Sequence, residues 1–201
     1  MSFRYSELAY KCLIFDLDGT LIDSSDSILR CFEETLRSFG LRPQVELSSS
    51  LVGPPLRTVF EQLLHAEDRC TVDRAIEKFK LIYDTYFFDI CNPFPAATEY
   101  FACVHQKENF LVTNKRRTPT EKILNKFSWS HFFKCVYTSD EYTDQMPDKC
   151  SVIETILKTY GLRKDVCVYI GDTDDDLRAA SFAGISFFNP HTLELVPVRG
   201  C

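Results

Sequence analysis

Residues 12–20 read Cys12-Leu13-Ile14-Phe15-Asp16-Leu17-Asp18-Gly19-Thr20, an apolar run that ends in two acids and a glycine. A continuous apolar run of this kind predicts a strand buried in a parallel sheet. Because side chains alternate along an extended backbone, the carboxylates of Asp16 and Asp18 share one direction and Leu17 points the other way. Two carboxylates at the carboxyl edge of a strand suit a cation, and open α/β sheets bind their ligands at this edge.

The chain further on alternates between strand and helix patterns. Strands are predicted at about 110–113, 135–137, 166–170 and 185–188, and helices at 96–106, 118–127, 150–160 and 174–183. Strands that alternate with helices at this spacing are typical of a doubly wound parallel sheet. The predicted fold class is therefore α/β.

Residues 22–92 interrupt this alternation with helical patterns only. Apolar residues recur there at helical spacing, and two prolines, Pro93 and Pro95, end the segment. A strand–helix–strand crossover needs about a dozen residues or more, and the helix predicted at 96–106 already supplies it. We therefore expect a core domain of residues 1–21 and 93–201, with a small α-helical cap of 22–92 inserted beside the two acids as a lid.

Composition and charge exclude several classes of protein. The 201 residues carry a net charge of −6, which argues against a general binder of nucleic acid or of anionic membranes. No apolar run reaches the roughly 18 residues of a membrane span, and no signal pattern begins the chain. The nine cysteines form no C-x-x-C pair, so we expect reduced thiols, no zinc site and a cytoplasmic protein. A monomer or homodimer is expected.

Polar residues follow the other predicted strands as well. Thr113-Asn114 ends one strand and Gly171-Asp172 another, and Lys149 begins a helix between them. In a parallel sheet these groups converge on the edge that carries Asp16 and Asp18. Carboxylates with a hydroxyl, an amide and an ammonium suit phosphoryl transfer with Mg²⁺, which prefers oxygen ligands.

This set of groups predicts a nucleophilic mechanism. Asp16 would attack phosphorus, and Asp18 would protonate the leaving oxygen and then deprotonate the hydrolytic water. The non-bridging oxygens would be held by Thr113, Asn114 and Lys149. A serine nucleophile is less plausible, because we expect no histidine near these strand ends and find none of the four histidines in a motif.

These residues form a pattern that resembles the four motifs of the haloacid dehalogenase superfamily. The matching residues, in order, are Asp16-x-Asp18-Gly19-Thr20, Thr113-Asn114, Lys149 and Gly171-Asp172-x-x-x-Asp176. The similarity covers nearly the whole chain and is greatest to phosphoglycolate-phosphatase-like hydrolases, which carry a small helical C1 cap. In one departure, Cys150 follows Lys149 where the family commonly has proline.

The resemblance implies a role for each motif residue. Asp16 would be the nucleophile and Asp18 the general acid and base, and the catalytic set would be completed by Thr113 and Lys149. Mg²⁺ would be held by Asp16, the carbonyl of Asp18 and Asp172, with Asp176 in support. Phosphate contacts would come from Gly19, Thr20, Thr113, Asn114 and Lys149.

The implied activity is hydrolysis of small phosphate monoesters through an aspartyl-phosphate. The partner would be a small phosphorylated metabolite, with phosphoglycolate as the first candidate. Three alternatives stay open: a phosphomutase of the β-phosphoglucomutase type, a pyrophosphatase or nucleotidase, and a catalytically silent binding protein of the same fold. Asp18 argues against dehalogenation and phosphonate cleavage, because the superfamily members with those activities lack an acid at this position.

Several residues keep a simpler interpretation beside the functional one. Asp176 could cap the helix predicted at 174–183, and Asn114 could be a turn former. The run 115–117, Lys-Arg-Arg, is predicted to be a solvated loop. In the cap, the resemblance makes Gly53 and Arg57 candidate substrate contacts, although the same stretch suits an ordinary helix start with an exposed arginine.

Overall fold

The computed structural model describes residues 4–64, 69–103, 107–143 and 148–197. The chain divides into two units, Met1–Ile22 with Pro93–Cys201, here called the core unit, and Asp23–Asn92, the inserted unit. Within the described ranges, no helix is both long and apolar enough to cross a membrane.

The core unit is organised around a six-stranded sheet. The strands of the chain are β1 (Cys12–Phe15), β2 (Ile22–Asp23), β3 (Asn92–Pro93), β4 (Glu108–Val112), β5 (Phe133–Tyr137), β6 (Cys167–Ile170), β7 (Ser186–Asn189) and β8 (Glu194–Val196). The order in the large sheet is β5-β4-β1-β6-β7-β8, while β2 and β3 pair as a separate two-stranded sheet. Every pairing in the large sheet is parallel except that of β7 with β8. This order confirms the predicted parallel α/β sheet, to which β8 adds an unpredicted antiparallel edge.

The helices alternate with these strands as the sequence predicts. They are α1 (Ser25–Ser38), α2 (Leu56–Leu64), α3 (Arg69–Ile82), α4 (Pro95–Ala102), α5 (Arg117–Lys126), α6 (Lys149–Thr159) and α7 (Asp174–Ala183). The helix predicted at 96–106 ends at Ala102, and residues 104–106 lie outside the described ranges. α3 is followed by a π-helical turn over Tyr83–Phe87.

Both faces of β1 are covered, which explains its continuous apolar sequence. On one face Ile14 belongs to a buried cluster with Ile153 of α6 and Ala180 of α7. On the other, the Phe15 ring lies 5.6 Å from Tyr100 and 6.1 Å from Phe101, both in α4. With helices on both faces, all four residues of the central strand are buried, and the polar residue Asp16 follows directly at its carboxyl end.

The inserted unit has an apolar core of its own. Its three helices contribute to one buried cluster, and the Phe32 ring of α1 lies 5.3 Å from Phe60 of α2 and 4.7 Å from Phe79 of α3. Aromatic pairs at these distances add to the stabilisation from burial alone. The segment is therefore helical, as predicted, and packs around its own centre.

Candidate active site

Three adjacent strands end side by side and deliver the candidate groups. The register pairs Phe15 with Leu111 of β4 and with Ile170 of β6. The chain therefore leaves β1, β4 and β6 at one edge of the sheet. Asp16 comes directly after β1, and its backbone N–H donates to the carbonyl of Ile170 at 2.9 Å. The edge of the sheet thus fixes the backbone of Asp16 next to the segment that carries Asp172.

Three carboxylates meet at this edge. Oxygen atoms of Asp16, Asp172 and Asp176 all lie within 4.8 Å of one another. Burial raises the pKa of Asp16 to about 7, with Lys149 opposing the rise and Asp176 adding to it. Burial and the Asp176 carboxylate likewise raise the pKa of Asp172. Charges of one sign held this close are costly unless a cation joins them.

The donor set fits a hard cation such as Mg²⁺. Oδ1 of Asp16 is buried and lies 3.1 Å from Nζ of Lys149, yet it accepts no hydrogen bond of good geometry from the described residues. A buried carboxylate oxygen of this kind has lone pairs left for a metal. Among the three acids, Asp16 and Asp172 have carboxylate oxygens suited to such an ion, while the part predicted for the Asp18 carbonyl stays a prediction.

Lys149 is the buried cation of this cluster. It is the first residue of α6, and Asp148 caps that helix by accepting from the Ser151 N–H at 3.0 Å. Its Nζ lies 2.8 Å from Oδ1 of Asp176 and 3.1 Å from Oδ1 of Asp16. Burial alone would lower the pKa of Lys149, but these two carboxylates prevail and raise it. The ammonium therefore stays charged.

Both carboxylate oxygens of Asp176 accept hydrogen bonds from neighbouring residues. Oδ2 accepts from N–H and Oγ1 of Thr173, at 3.1 and 2.7 Å, in the capping box of α7, and Oδ1 accepts from Lys149. Burial opposes ionisation, but the pKa of Asp176 is lowered overall by Lys149 and the Thr173 bonds. The same carboxylate therefore caps α7 and holds Lys149, while its predicted support of Mg²⁺ stays a prediction.

The turn at Gly19 and Thr20 shapes the position of Asp172. Gly19 has φ +78°, and a Cβ placed there would lie 2.3 Å from Oδ2 of Asp172. Its N–H donates to the carbonyl of Ile22, and the buried hydroxyl of Thr20 donates to Oδ1 of Asp172 at 3.0 Å. These groups therefore position Asp172, and the predicted phosphate contacts of Gly19 and Thr20 stay a prediction.

The segment after β4 places a hydroxyl and a second ammonium at the site. Thr113 is buried, and its Oγ1 accepts from the N–H of Lys115 at 3.2 Å. Asn114 is exposed, with Oδ1 3.3 Å from the hydroxyl of Tyr142. Lys115 Nζ lies 2.9 and 3.0 Å from the two oxygens of Asp18. The predicted solvated loop is therefore wrong for Lys115, whose side chain is only 6% exposed.

A histidine also reaches the site, against expectation. His191 follows β7, and its Nε2 lies 2.6 Å from the carbonyl oxygen of Gly19. Because a carbonyl can only accept, Nε2 carries the proton. The ring packs edge-on against Phe94 at 5.1 Å. The signal that could have identified His191 is its place just after a predicted parallel strand, where the chain returns to the same edge.

Tyr142 is a second residue outside the motifs. Its hydroxyl lies 3.2 Å from the carbonyl of Thr113 and 3.3 Å from Oδ1 of Asn114. Burial raises the pKa of Tyr142, so the phenol stays protonated and can donate. It therefore helps to hold the turn that carries the Thr113 hydroxyl.

Two candidate substrate contacts, Gly53 and Arg57, belong to the inserted unit. Arg57 forms an ion pair there with Asp73 of α3, and both side chains are half exposed. Their predicted part in substrate binding stays a prediction.

Comparison with known proteins agrees with the resemblance in the motifs. The sequence model of the family described as haloacid dehalogenase-like hydrolase matches residues 13–189. A phosphoglycolate phosphatase of Aquifex aeolicus is 28% identical over 177 residues, covering 87% of this chain and 81% of that protein. A pyrophosphatase of Anoxybacillus flavithermus is 29% identical over 175 residues, covering 86% and 79%.

A solved structure gives the same answer for the fold. A haloacid dehalogenase-like hydrolase of Streptococcus pneumoniae superposes with a TM-score of 0.77 at 25% identity, covering 90% of this chain and 84% of that one. Family match, fold and the arrangement of groups at one sheet edge agree. This chain belongs to the haloacid dehalogenase-like hydrolase family.

Proposed function

We propose that this protein is a Mg²⁺-dependent phosphatase that hydrolyses small phosphate monoesters by phosphoryl transfer to Asp16. The observation that carries the proposal is the buried Asp16 carboxylate, which has an oxygen without a good hydrogen bond and lies between Lys149 and two further acids. The phosphatase names of the relatives support the same reaction class.

Mg²⁺ would be held by Asp16, Asp172 and the carbonyl of Asp18. When bound, it supplies positive charge that offsets the repulsion between the Asp16 carboxylate and a phosphate. The protein's own contribution is to keep these oxygens in place, through the Thr20 hydroxyl on Asp172 and the strand-end hydrogen bond on Asp16.

In the first step, a carboxylate oxygen of Asp16 forms a bond to phosphorus while the bond to the leaving oxygen breaks. Asp18 enters this step protonated and gives its proton to that oxygen. In the second step, a water oxygen attacks the phosphorus of the aspartyl-phosphate, Asp18 takes the proton, and the carboxylate of Asp16 is regenerated. Lys149 and the Thr113 hydroxyl would stabilise the charge that spreads over the non-bridging oxygens.

Phosphoglycolate is the first substrate to test, because one relative carries that name. The name of the second relative makes pyrophosphate the next candidate. Transfer of the phosphoryl group to a sugar, as in a phosphomutase, uses the same two aspartates. The decisive difference is whether water or a sugar hydroxyl receives the phosphoryl group.

The test is a substrate panel with the full chain, with Mg²⁺ and with EDTA. It would include p-nitrophenyl phosphate, phosphoglycolate, pyrophosphate, a nucleoside monophosphate and glucose 1-phosphate, scored for free phosphate and for sugar isomerisation. The rate of phosphate release should fall on the order of a thousandfold or more in Asp16→Asn, as expected for the loss of a nucleophile. Asp175→Asn, an exposed acid on α7, is the matched control and should keep the parent rate.

Acid quenching during turnover should trap phosphate on the parent chain and none on Asp16→Asn. Turnover by Asp16→Asn at the parent rate would contradict the mechanism. Full activity in EDTA would contradict the metal requirement. Isomerisation of glucose 1-phosphate in place of phosphate release would assign the chain to the mutases.

A further inference from the structure

A second buried ion pair lies beside the acid cluster. The ammonium of Lys115 donates to both carboxylate oxygens of Asp18, at 2.9 and 3.0 Å. The side chains are 6% and 14% exposed, so the pair is shielded from bulk water. Hydrogen bonds between two charged groups are stronger than neutral ones, and two of them to one carboxylate fix its orientation.

The backbone of Lys115 is held from two sides. Its N–H donates to Oγ1 of Thr113 at 3.2 Å, and its carbonyl accepts from the N–H of Ser139 at 3.1 Å. Thr113 directly follows β4, and Ser139 lies just beyond β5, so adjacent parallel strands fix the point from which the lysine reaches Asp18. The ammonium is therefore anchored by the sheet and is not the end of a freely moving loop.

The two buried lysines contact different acids. Lys149 lies against Asp16 and Asp176, the proposed nucleophile and its supporting acid. Lys115 lies against Asp18. The charge of Lys149 therefore stabilises the carboxylates around the proposed nucleophile, whereas the charge of Lys115 lies against the proposed acid and base.

We propose that Lys115 is the positioning residue of Asp18, a role that rests on the proposed function. The Asp16 carboxylate repels that of Asp18, and the Asp18 side chain has rotamer freedom that costs free energy to remove. Lys115 offsets the repulsion and selects one orientation before substrate binds. Proton transfer depends on such placement, because an acid must lie within hydrogen-bond reach of the atom it protonates.

The test compares two esters that differ in their need for an acid. p-Nitrophenolate leaves without a proton, whereas the alkoxide released from phosphoglycolate requires one. The quantity to compare is kcat/KM, because it reports the steps up to loss of the leaving group. Lys115→Met should lower kcat/KM for phosphoglycolate by about 10–100-fold and for p-nitrophenyl phosphate by less than about threefold. Lys158→Met, an exposed lysine on α6, is the control.

A double-mutant cycle supplies an independent readout. In the Asp18→Asn background, Lys115→Met should cause little further loss with either ester, because the group that it orients is already absent. Lys115→Arg keeps the charge and the donors, so it should lose less than Lys115→Met while retaining the difference between the esters. If Lys115→Met does not fold, the ratio of kcat/KM for the two esters in Lys115→Arg still tests the role of Lys115.

Equal losses on both esters, or full additivity with Asp18→Asn, would overturn the proposal and make Lys115 a phosphate contact or a purely structural residue. A rise in KM for phosphoglycolate alone, with kcat unchanged, would also overturn it. If the parent chain hydrolyses neither ester, or if Asp16→Asn stays active, the proposed function itself fails. If the parent is active and depends on Asp16, but Lys115→Met leaves the ratio of kcat/KM for the two esters unchanged, only the proposed role of Lys115 is wrong.

Discussion

Lys149 and Asp176 form an ion pair that is almost completely removed from water, with Nζ 2.8 Å from Oδ1 and side-chain exposures of 7% and 0%. The pair joins the first turn of α6 to the first turn of α7. The ammonium of Lys149 forms a second ion pair, with Asp16. One ammonium group, through two salt bridges, therefore connects two helix starts to the end of the central strand.

Asp176→Asn should destabilise the chain strongly. Removing one partner of a buried pair costs about 3–5 kcal/mol, and we expect the lower end because Asp16 still faces the ammonium. Urea unfolding without divalent cations measures the change. Asp175→Asn removes an exposed acid from the same helix turn, so it should cost no more than about 1 kcal/mol. Equal losses in the two variants would contradict the importance of the buried pair.

Asp172→Asn should remove the response to Mg²⁺ without weakening the metal-free chain. Burial and the Asp176 carboxylate raise the pKa of Asp172, so its charge is unfavourable when no cation is bound. The asparagine oxygen can still accept from Thr20. In EDTA the variant should therefore be at least as stable as the parent. At a Mg²⁺ concentration of 100 times Kd, only the parent should gain about 2.7 kcal/mol.

Thermal unfolding in EDTA and in MgCl₂ checks this expectation. Asp174→Asn, another exposed acid of α7, should respond to Mg²⁺ as the parent does. The metal assignment is wrong if Asp172→Asn and the parent are stabilised equally.

Gly19→Ala should impair activity well beyond its effect on folding. Gly19 and Gly161 both have left-handed φ values, +78° and +62°, so alanine at either position costs about 1–2 kcal/mol. A Cβ at Gly161 meets nothing within 4 Å, whereas one at Gly19 would lie 2.3 Å from Oδ2 of Asp172. Displacing Asp172 should lower activity on the order of 10–100-fold, as for the loss of other metal-positioning contacts.

The comparison of Gly19→Ala with Gly161→Ala separates strain from function. Both variants are followed by urea unfolding and by the Mg²⁺ concentration for half-maximal activity. Gly161→Ala should be less stable than the parent but should need the same Mg²⁺ concentration for half-maximal activity. A parallel shift in Gly161→Ala would show that general destabilisation, and not the contact with Asp172, is responsible.

His191→Leu should weaken activation by Mg²⁺, because Nε2 of His191 donates to the carbonyl of Gly19. The turn that it steadies also carries Thr20, which holds Asp172. We expect a loss of about tenfold in kcat/KM, at the low end for an outer contact of a metal site. His191→Gln retains a donor and should recover most of the activity. Identical behaviour of the two variants would show that the hydrogen bond is unimportant.

The fold and much of the candidate site can be predicted from the sequence because both depend on local pattern. The run 12–15 predicts a buried strand, and the polar residues that follow it and the strands near 111 and 169 must share one edge of a parallel sheet. Asp16, Thr113 and Asp172 are found this way. The antiparallel strand β8 is missed because three largely exposed residues give no alternating pattern.

The unpredicted contacts depend on tertiary structure. Lys115 stands in a run of three basic residues, which suggests solvent exposure, but its side chain pairs with Asp18 and its backbone with Ser139, both distant in the sequence. His191 lies 172 positions from Gly19, and the two meet only because β7 follows β6 at the same edge. Neither contact has a sequence spacing that marks it.

The position of β1 has a consequence for synthesis of the chain. This strand lies at the centre of the sheet, between β4 and β6, but it precedes the other strands of that sheet along the chain. At about 5–20 residues per second, several seconds pass before β4 emerges, and the inserted unit, with its own apolar core, is completed in that interval. The apolar segment Cys12–Phe15 must wait unpaired until its neighbours arrive. A nascent chain stalled before β4 therefore holds this apolar segment without either of the strands that pair with it in the folded sheet.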